Sequence, residues 1–517
     1  MKKKYNFKGG IQCISIKKDP REYFLNYLPD PEKFFIYIKY SHFKKNRLRV
    51  KVGQEVLCGQ PLTFGDDLIV PVHSPTSGWI KNIYFNPKSS DKNQEKIKIV
   101  ILSNHLNKWI RLKTIKNYKT YTPQSLIKII YQSGIVGLGG AQFPSSKKLT
   151  LSINKVHTLI VNGIESEPCM TADYCLMQNY INEILIGCKI VAWISKVKDI
   201  LIVIQEDKTE LILKIQKIIE NKQLFKLCII RKKYPGGSSK ILIKSLTGKE
   251  IPYGKHSIDM GYLVFNVATI YAIKRSIING EPLIKRIVTL YNKDKNILSK
   301  NFWVKIGTPI HFFLNYLKID SNLNTLIYSG GVFMRYLIVN LNYSIQKNMN
   351  CIYVKKNKKN KKKIEYPCIN CGYCVHACPV NLLPQEMFLY CKNSDNQKLK
   401  QLNILDCIEC TVCEKVCPSN IPLVKYFRIG KKIQKNIDIE NDRKKLFSSL
   451  FRKREKRLLI EKKIFYSKDQ ISNIKKLDIF SRTQEKEENN SINQKIIEKS
   501  LRKEMLKEAI KRAKLKR

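Results

Sequence analysis

Cys368-Ile-Asn-Cys371-Gly-Tyr-Cys374-Val-His-Ala-Cys378-Pro379 and Cys407-Ile-Glu-Cys410-Thr-Val-Cys413-Glu-Lys-Val-Cys417-Pro418 repeat one spacing, C-x2-C-x2-C-x3-C-P. That spacing suits paired [4Fe–4S] clusters. Three thiolates two residues apart wrap a tight loop around one cubane. The fourth, three residues further and ahead of proline, points away and completes the other. The reading assigns Cys368, Cys371, Cys374 and Cys417 to one cluster and Cys407, Cys410, Cys413 and Cys378 to the second. Zinc also binds C-x2-C pairs, but needs only four ligands per site, from two pairs set further apart. Two complete runs, each ending in proline, favour the clusters and one-electron chemistry.

The rest of the chain has room for more than this module. Its 517 residues are enough for two to four domains, and 43% hydrophobic residues supply real cores. Of the 16 cysteines, Cys13, Cys58, Cys169, Cys175, Cys188, Cys228, Cys351 and Cys391 are scattered singly and read as small hydrophobes. The net charge of +53 is spread along the chain and matches a general richness in Lys, Asn and Ile, so it assigns no partner. No secretory signal follows the basic start, and no uncharged apolar run reaches the about 18 residues a membrane span needs. The longest candidate, Ile184 to Ile204, contains Lys189, Lys196, Lys198 and Asp199 and reads as a buried helix followed by a strand. The expectation is a peripheral protein on the cytoplasmic side.

Upstream, Ser133-Gly-Ile-Val-Gly-Leu-Gly-Gly-Ala-Gln-Phe-Pro144 follows a helical-looking stretch, Leu126 to Tyr131. Gly137, Gly139 and Gly140 can form a loop whose N–H groups approach a phosphate, with Lys147 and Lys148 beyond to neutralise it. Thr158 to Val161 reads as a buried strand running into Asn162, Glu165 and Glu167, as an open α/β sheet presents a ligand site. The bland reading of the two glutamates is a solvated turn. Ile200 to Ile204, Lys208 to Glu220 and Met260 to Thr269, with Asn266 near its end, continue the α/β alternation.

The combination resembles the C subunit of the Rnf-type ion-translocating electron-transport complex over roughly residues 8 to 430. The motifs are Pro71-Val-His-Ser-Pro-Thr-Ser-Gly78, Gly134 to Pro144, Asn162 to Met177, Lys233-Tyr-Pro235, Gly280-Glu-Pro282 and both cysteine runs. Across the glycine-rich segment it is similar to the FMN-bearing subunit of respiratory complex I. The resemblance implies FMN held by Gly137, Gly139, Gly140, Lys148, Asn162 and Asn266, with NADH docking nearby and Glu165 and Glu167 lining the flavin and nicotinamide side. It implies a subunit on the cytoplasmic face of the bacterial inner membrane. There it passes electrons between NADH and ferredoxin or another redox partner, together with the membrane-embedded and peripheral subunits of that complex. Gln142 stands where the family usually has Gly, Ser166 where it has Cys, and Gly330-Gly-Val-Phe-Met-Arg335 where it has a Gly-Gly-Pro-Met-Met-Gly-like segment.

The expected fold is a multidomain α/β chain. Residues 1–110 form a barrel-sandwich β-domain, similar to biotin and lipoyl carriers but without a lysine at its Gly65-Asp-Asp-Leu68 tip. Residues 111–300 form a Rossmann-like α/β flavin domain and 301–350 a β-grasp module. Residues 351–366 form a Lys/Asn linker that lets the next part move. Residues 367–430 form an α-helical two-cluster ferredoxin module, and 431–517 a charged helical or disordered tail. In that tail Ile497, Leu501, Met505, Ala509 and Ala513 recur every four residues, a pattern suited to an anionic membrane surface or a partner helix. The lysine run before the clusters lacks interleaved aromatics, so nucleic acid is not expected.

Overall fold

A computed structural model describes residues 4–13, 24–39, 48–66, 69–85, 96–294, 297–319, 325–357, 364–481 and 500–508. They form two compact units, Met1–Gln434 and Lys435–Arg517. Asp67 and Leu68 of the hairpin tip, residues 358–363 of the lysine run, and Ile497, Ala509 and Ala513 of the tail repeat lie outside the described residues.

The first unit is built on a five-stranded, wholly parallel sheet in the order Lys4–Tyr5, Phe225–Ile230, Asp199–Gln205, Thr158–Asn162, Tyr262–Asn266. Strands such as Asp-Ile-Leu-Ile-Val-Ile-Gln read as continuous apolar runs because both faces are covered. Leu159, Val161, Ile200, Ile202, Ile204, Leu263 and Phe265 enter one core. Ile160, Val203, Cys228, Ile230, Tyr262 and Val264 enter another. Six helices connect and cover the strands: Pro123–Gln132, Ser145–Ser152, Ala172–Ser195, Thr209–Ile219, Ser239–Thr247 and Val267–Asn279. The first starts where Thr122 accepts a hydrogen bond from Ser125 N with proline in its first turn, a cap legible in the sequence. The helix and strand read over 184–204 are the end of Ala172–Ser195 and Asp199–Gln205.

Chain order locates the mouth of this sheet. From Thr158–Asn162 the chain moves through Asp199–Gln205 to Phe225–Ile230 on one side, then returns to Tyr262–Asn266 on the other. The winding direction reverses between Thr158–Asn162 and Tyr262–Asn266, whose last residues, Asn162 and Asn266, are register partners. The crevice beyond the carboxyl ends at such a reversal is where open parallel sheets take ligands.

Two further sheets flank it. The barrel-sandwich part is four-stranded and antiparallel, in the order Lys33–Lys39, Lys96–Ser103, Gly78–Phe85, Glu55–Val56, closed on Phe34, Ile36, Ile80, Ile97, Ile99 and Ile101. The other is six-stranded, in the order Arg335–Leu337, Thr325–Gly330, Cys351–Lys356, Lys285–Asn292, Ile297–Lys305, Leu25–Tyr27. It packs on the helix Ile310–Tyr316 through Val288, Leu290, Phe302, Val304 and Phe313.

These pairings run across three of the expected boundaries. Residues 4–5 and 11–12 join Phe225–Ile230 and Lys233–Tyr234, and 25–27 join 301–303, so the start of the chain threads through its neighbours before the barrel-sandwich sheet begins. Lys285–Asn292 belongs with the six-stranded sheet, which places that module's start before 301. Residues 351–356, expected as linker, are a buried central strand of the same sheet.

The cysteine module carries a short helix after each run's second ligand, Tyr373–Ala377 and Val412–Val416, and two longer ones, Pro384–Lys392 and Asn396–Gln401. Its core is Leu382, Met387, Phe388, Leu399, Ile404, Val424 and Phe427. A final helix, Leu423–Ser481, begins in the first unit, and its residues from Lys435 on belong to the second. In that second unit the residues whose side chains are described are almost all exposed, and 500–508 is helical. Among the described residues no helix is long and apolar enough to cross a membrane.

Candidate functional site

The glycine loop lies at the sheet's mouth. Leu138 N donates to Thr269 Oγ1 at 2.9 Å, and a Cβ on Gly139 would stand 3.4 Å from that of Asn266. Gly140, at φ +121°, faces open space, so bare backbone borders the crevice at a conformation side chains avoid. Asn162 Nδ2 donates to Gly237 O at 2.9 Å while its Oδ1 accepts from Ile164 N at 3.1 Å. Asn266 caps the helix Val267–Asn279 by accepting from Ala268 N, and its Nδ2 donates to Asp173 Oδ2 at 2.5 Å.

Three cations surround this loop. Lys148 Nζ donates to Val264 O, on the strand that ends at Asn266, and burial alone lowers its pKa to about 8. Lys347 Nζ donates to Gly134 O at 2.7 Å, and burial lowers it to about 7. Arg286, 3% exposed, donates to Lys347 O and, at 3.4 Å, to Leu138 O. Burial lowers its pKa to about 10, opposed by the charge of Asp173. Cations whose pKa values fall by burial favour a bound anion, because its charge offsets the desolvation. The residues therefore fit a phosphate-bearing ligand on the loop. Lys148 was legible from its place after the glycines. Arg286 and Lys347 were not, since each arrives from the neighbouring sheet.

The two glutamates divide. Glu165 Oε1 accepts from Asp173 N at 2.7 Å, while its buried Oε2 has no hydrogen-bond partner among the described residues. Burial raises Glu165 to about 8, with Lys208 opposing and Asp173 reinforcing. An orphaned carboxyl oxygen at the mouth is a position a ligand group can satisfy. Glu167 is spent otherwise. Its two oxygens accept from Phe333 N at 2.8 Å and Met334 N at 2.7 Å, so it fastens the Gly330–Met334 turn of the six-stranded sheet rather than ending in a solvated turn. Gln142 stands at φ +52° and lines a cavity between the barrel-sandwich part and the loop, with Tyr37, Tyr343 and Lys347. Ser166 Oγ accepts from Gly237 N at 2.5 Å.

In the cysteine module, Cys378, Cys407, Cys410 and Cys413 line one small cavity with Pro379, Leu382, Met387, Val412 and Phe427. Burial and mutual repulsion raise the Cys407, Cys410 and Cys413 thiols, Cys410 to about 12. Four thiols gathered in one cavity at the spacing of a cluster run make a donor set that suits an iron–sulfur cluster. Cys368 and Cys371 are exposed, and Cys374 and Cys417 partly so. Tyr366 N donates to Ser419 O at 3.0 Å, which joins the start of the first run to the end of the second. All 16 cysteines are free of disulfides. The runs also repeat in backbone: positive φ recurs at Asn370 and Glu409, at Gly372 and Thr411, and at Asn381 and Asn420. Thr411 holds a conformation that β-branched residues rarely adopt, where its counterpart is glycine.

The module is docked onto the parallel-sheet part. Gly10 N donates to Ala377 O at 2.9 Å, Tyr234 OH to Cys410 O at 2.9 Å, and Lys240 pairs with Asp406 at 3.1 Å. The freedom expected from the lysine run is therefore opposed by contacts on the module itself.

A ligand mouth and an eight-thiol module within one compact unit define an electron-transfer chain built on a flavin-type domain and a dicluster domain. Family models agree: the Nuo51 FMN-binding domain over residues 130–275, the RnfC barrel sandwich hybrid domain over 5–105, and a 4Fe-4S dicluster domain over 367–421. The C subunit of the ion-translocating oxidoreductase complex of Buchnera aphidicola subsp. Acyrthosiphon pisum is 55% identical over 452 residues, 87% of this chain and 94% of that protein. The protein of the same name from Buchnera aphidicola subsp. Baizongia pistaciae is 44% identical, covering 86% and 88%. That from Erwinia tasmaniensis is 38% identical over 89% of this chain, which spans 57% of its length. The chain belongs to this family, the C subunits of ion-translocating oxidoreductase complexes. Among solved structures, an NAD+-reducing [NiFe]-hydrogenase in the air-oxidized state gives a TM-score of 0.41 at 15% identity over 55% of each chain, too distant to bear on function.

Proposed function

We propose that this chain is the electron-entry subunit of an ion-translocating oxidoreductase complex, joining NADH to one-electron partners through FMN and two [4Fe–4S] clusters. The observation that carries the reading is the docking of the cysteine module onto the turn that borders the sheet's mouth. When bound, FMN takes two electrons as hydride and releases them singly, and each cluster carries one.

The chain's own residues bind and orient. Gly137, Gly139 and Gly140 offer backbone to the ligand, and Lys148, Arg286 and Lys347 supply positive charge for its phosphate. Asn162 and Asn266 fix the strand ends. Burial pushes the Glu165 carboxyl toward its protonated form, and its unpartnered Oε2 is open to a group of the ligand. Glu167 positions the Gly330–Met334 turn. Cys368, Cys371, Cys374 and Cys417 hold one cluster, and Cys378, Cys407, Cys410 and Cys413 the other. The six-stranded module is read as β-grasp-like. Partner subunits of the complex anchor the chain at the cytoplasmic face of the membrane, with ferredoxin or another carrier as exchange partner.

A second reading, an electron relay with a degenerate flavin site, is favoured by one observation. Gln142 occupies a left-handed conformation beside the glycine loop, where glycine would leave the loop bare. Anaerobic purification with iron, sulfide and flavin assays separates the two. About eight irons with one FMN per chain supports the entry subunit, whereas the same iron without flavin favours the relay.

A further inference from the structure

The six-stranded sheet ends on one side in the strand Arg335–Leu337, and that edge is both apolar and basic. We propose that this strand, with Val339 beyond it and Lys293 and Lys355 beside it, is the docking surface for an extended acidic segment of another subunit of the complex. Nothing in this surface depends on what the sheet's mouth or the cysteines hold.

Arg335-Tyr-Leu-Ile-Val339 is rich in residues that favour strands. On its inner side it pairs with Thr325–Gly330, with Leu337 opposite Tyr328 and Arg335 opposite Gly330. Ile338 N donates to Ile327 O at 2.8 Å. Alternate residues of an antiparallel ladder turn their N–H and C=O groups to opposite sides, so Arg335 and Leu337 present theirs at the outer edge. Such an edge is a template for a further strand unless its side chains forbid one. Here Tyr336, Leu337 and Val339 are 68%, 51% and 87% exposed, a run of large apolar side chains held in water.

The charge beside the edge is mainly of one sign. The Arg335 guanidinium lies over the rings of Tyr328 at 4.7 Å and Tyr353 at 5.0 Å, and Lys355 Nζ stands 5.7 Å from the Tyr328 ring. Arg335, Lys293 and Lys415 all repel Lys355, and Asp294 opposes them while accepting from Lys356 N. Glu167, the other carboxylate that feels Arg335, is turned inward onto Phe333 N and Met334 N. Cations gathered in this way repel one another, and an acidic partner relieves the repulsion.

The same geometry selects among partners. Nucleic acid needs bare ring faces on which to stack bases. Arg335 covers Tyr328 and Tyr353, and Tyr353 is stacked on Tyr291 as well. A second copy of this chain, paired edge to edge about a two-fold axis, would set the same cations against each other. An extended acidic segment instead adds a strand, takes up the outward N–H and C=O groups, covers the apolar side chains and meets the cations. Relatives of this chain are subunits of a complex, which supplies the source of such a segment.

The test uses the assembled complex, solubilised from membranes in mild detergent. A photoreactive benzoylphenylalanine is placed at Tyr336 or at Val339, irradiated, and the captured peptide identified by mass spectrometry. Tyr84, 52% exposed on the strand Gly78–Phe85 of the barrel-sandwich sheet, is the control position. Both edge positions should capture one segment of a partner subunit, rich in Asp and Glu, that the control does not. The paired reversal Lys293→Glu with Lys355→Glu leaves Arg335 on its rings and should cut recovery of that subunit at least about ten-fold. Raising the salt in the wild-type preparation should lower recovery in the same direction by screening. Capture of a second copy, of nucleic acid, of lipid or of nothing overturns the assignment, as does capture of the same segment from Tyr84. Wild-type recovery of the subunit by the reversed variant overturns it too. Circular dichroism of the purified variant shows whether its fold is intact, and if it is not, the capture alone decides.

Discussion

At the residue scale, the site depends on charges taken out of water next to a loop that offers backbone. Lys148 is the clearest case, with its pKa lowered to about 8 by burial. An anion beside it raises that pKa, so affinity for the flavin phosphate should fall as pH rises through about 8 and beyond. Lys148→Met should weaken FMN binding about ten- to hundred-fold, the equivalent of one charge-assisted hydrogen bond of about 1.5–3 kcal/mol. It should also flatten the pH dependence. Titration of flavin fluorescence checks both, and equal affinity in the variant would remove Lys148 from the site.

Glu165 gives a stability prediction of opposite origin. Its folded pKa of about 8 lies above the unfolded 4.5, so the native state holds a proton that the unfolded state has released between those values. Stability is therefore lost progressively as pH rises from about 4.5 to about 8. Glu165→Gln should be unchanged at acid pH and more stable than wild type near pH 8, measured by urea denaturation of the ligand-free chain. Gln142 is the third case. Glycine at its φ of +52° removes the crowding that a Cβ suffers there, and Gln142→Gly should raise stability by about 1 kcal/mol. A drop in the unfolding midpoint would mean that the Gln142 side chain contributes more than its backbone costs. At this scale the sequence was partly legible. The glycines, Lys148 and the eight cysteines announce themselves by spacing. Asp173 stood in a quoted motif without a role, and Arg286, Lys347 and Tyr234 act through contacts that only the fold creates.

At the element scale, long apolar runs and caps were readable and short edge strands were not. Thr158–Asn162, Asp199–Gln205 and Pro123–Gln132 follow from continuous apolar residues or from a Thr-Pro start. The two-residue strands Lys4–Tyr5 and Ile11–Gln12 have no period to detect, and each is defined by a partner more than two hundred residues away. The expected strand around Met260 to Thr269 ends at Asn266 because its side chain caps the following helix. Cys351–Lys356 was hidden by the lysines that follow it. The short N-terminal elements also explain how the cysteine module is seated, since Gly9 and Gly10, at φ +65° and +75°, pass between Tyr234 and Cys378. Gly9→Ala places a Cβ against Cys378 O at a conformation alanine resists. It should loosen the module, with faster limited proteolysis within residues 357–434 and little change within 111–280. Identical cleavage rates would show that the seat tolerates the side chain.

At the scale of the molecule, the reading joins three parts with different chemistry into one line. The barrel-sandwich sheet, for which the sequence offered no carrier lysine, borders the glycine loop through the cavity lined by Gln142 and Tyr37. The parallel sheet holds the mouth, and the cysteine module is seated on the turn beside it by contacts at Gly10, Tyr234 and Lys240. The spacing of cysteines disclosed the carriers but not this seat, because docking depends on surfaces and not on periodicity. The second unit, Lys435–Arg517, keeps the basic and apolar residues expected of its tail, with Phe447, Phe451, Phe465 and Tyr466 exposed.

The central claim is that the mouth and the cluster module work as one electron path. The most direct test is to mix the anaerobic, cluster-loaded chain with NADH and follow flavin and iron–sulfur absorbance together by stopped flow. The account predicts that both bleach, the flavin band first and the cluster band after it. A chain with its clusters and flavin intact that shows no bleaching with NADH would contradict the account and place the nicotinamide site on another subunit.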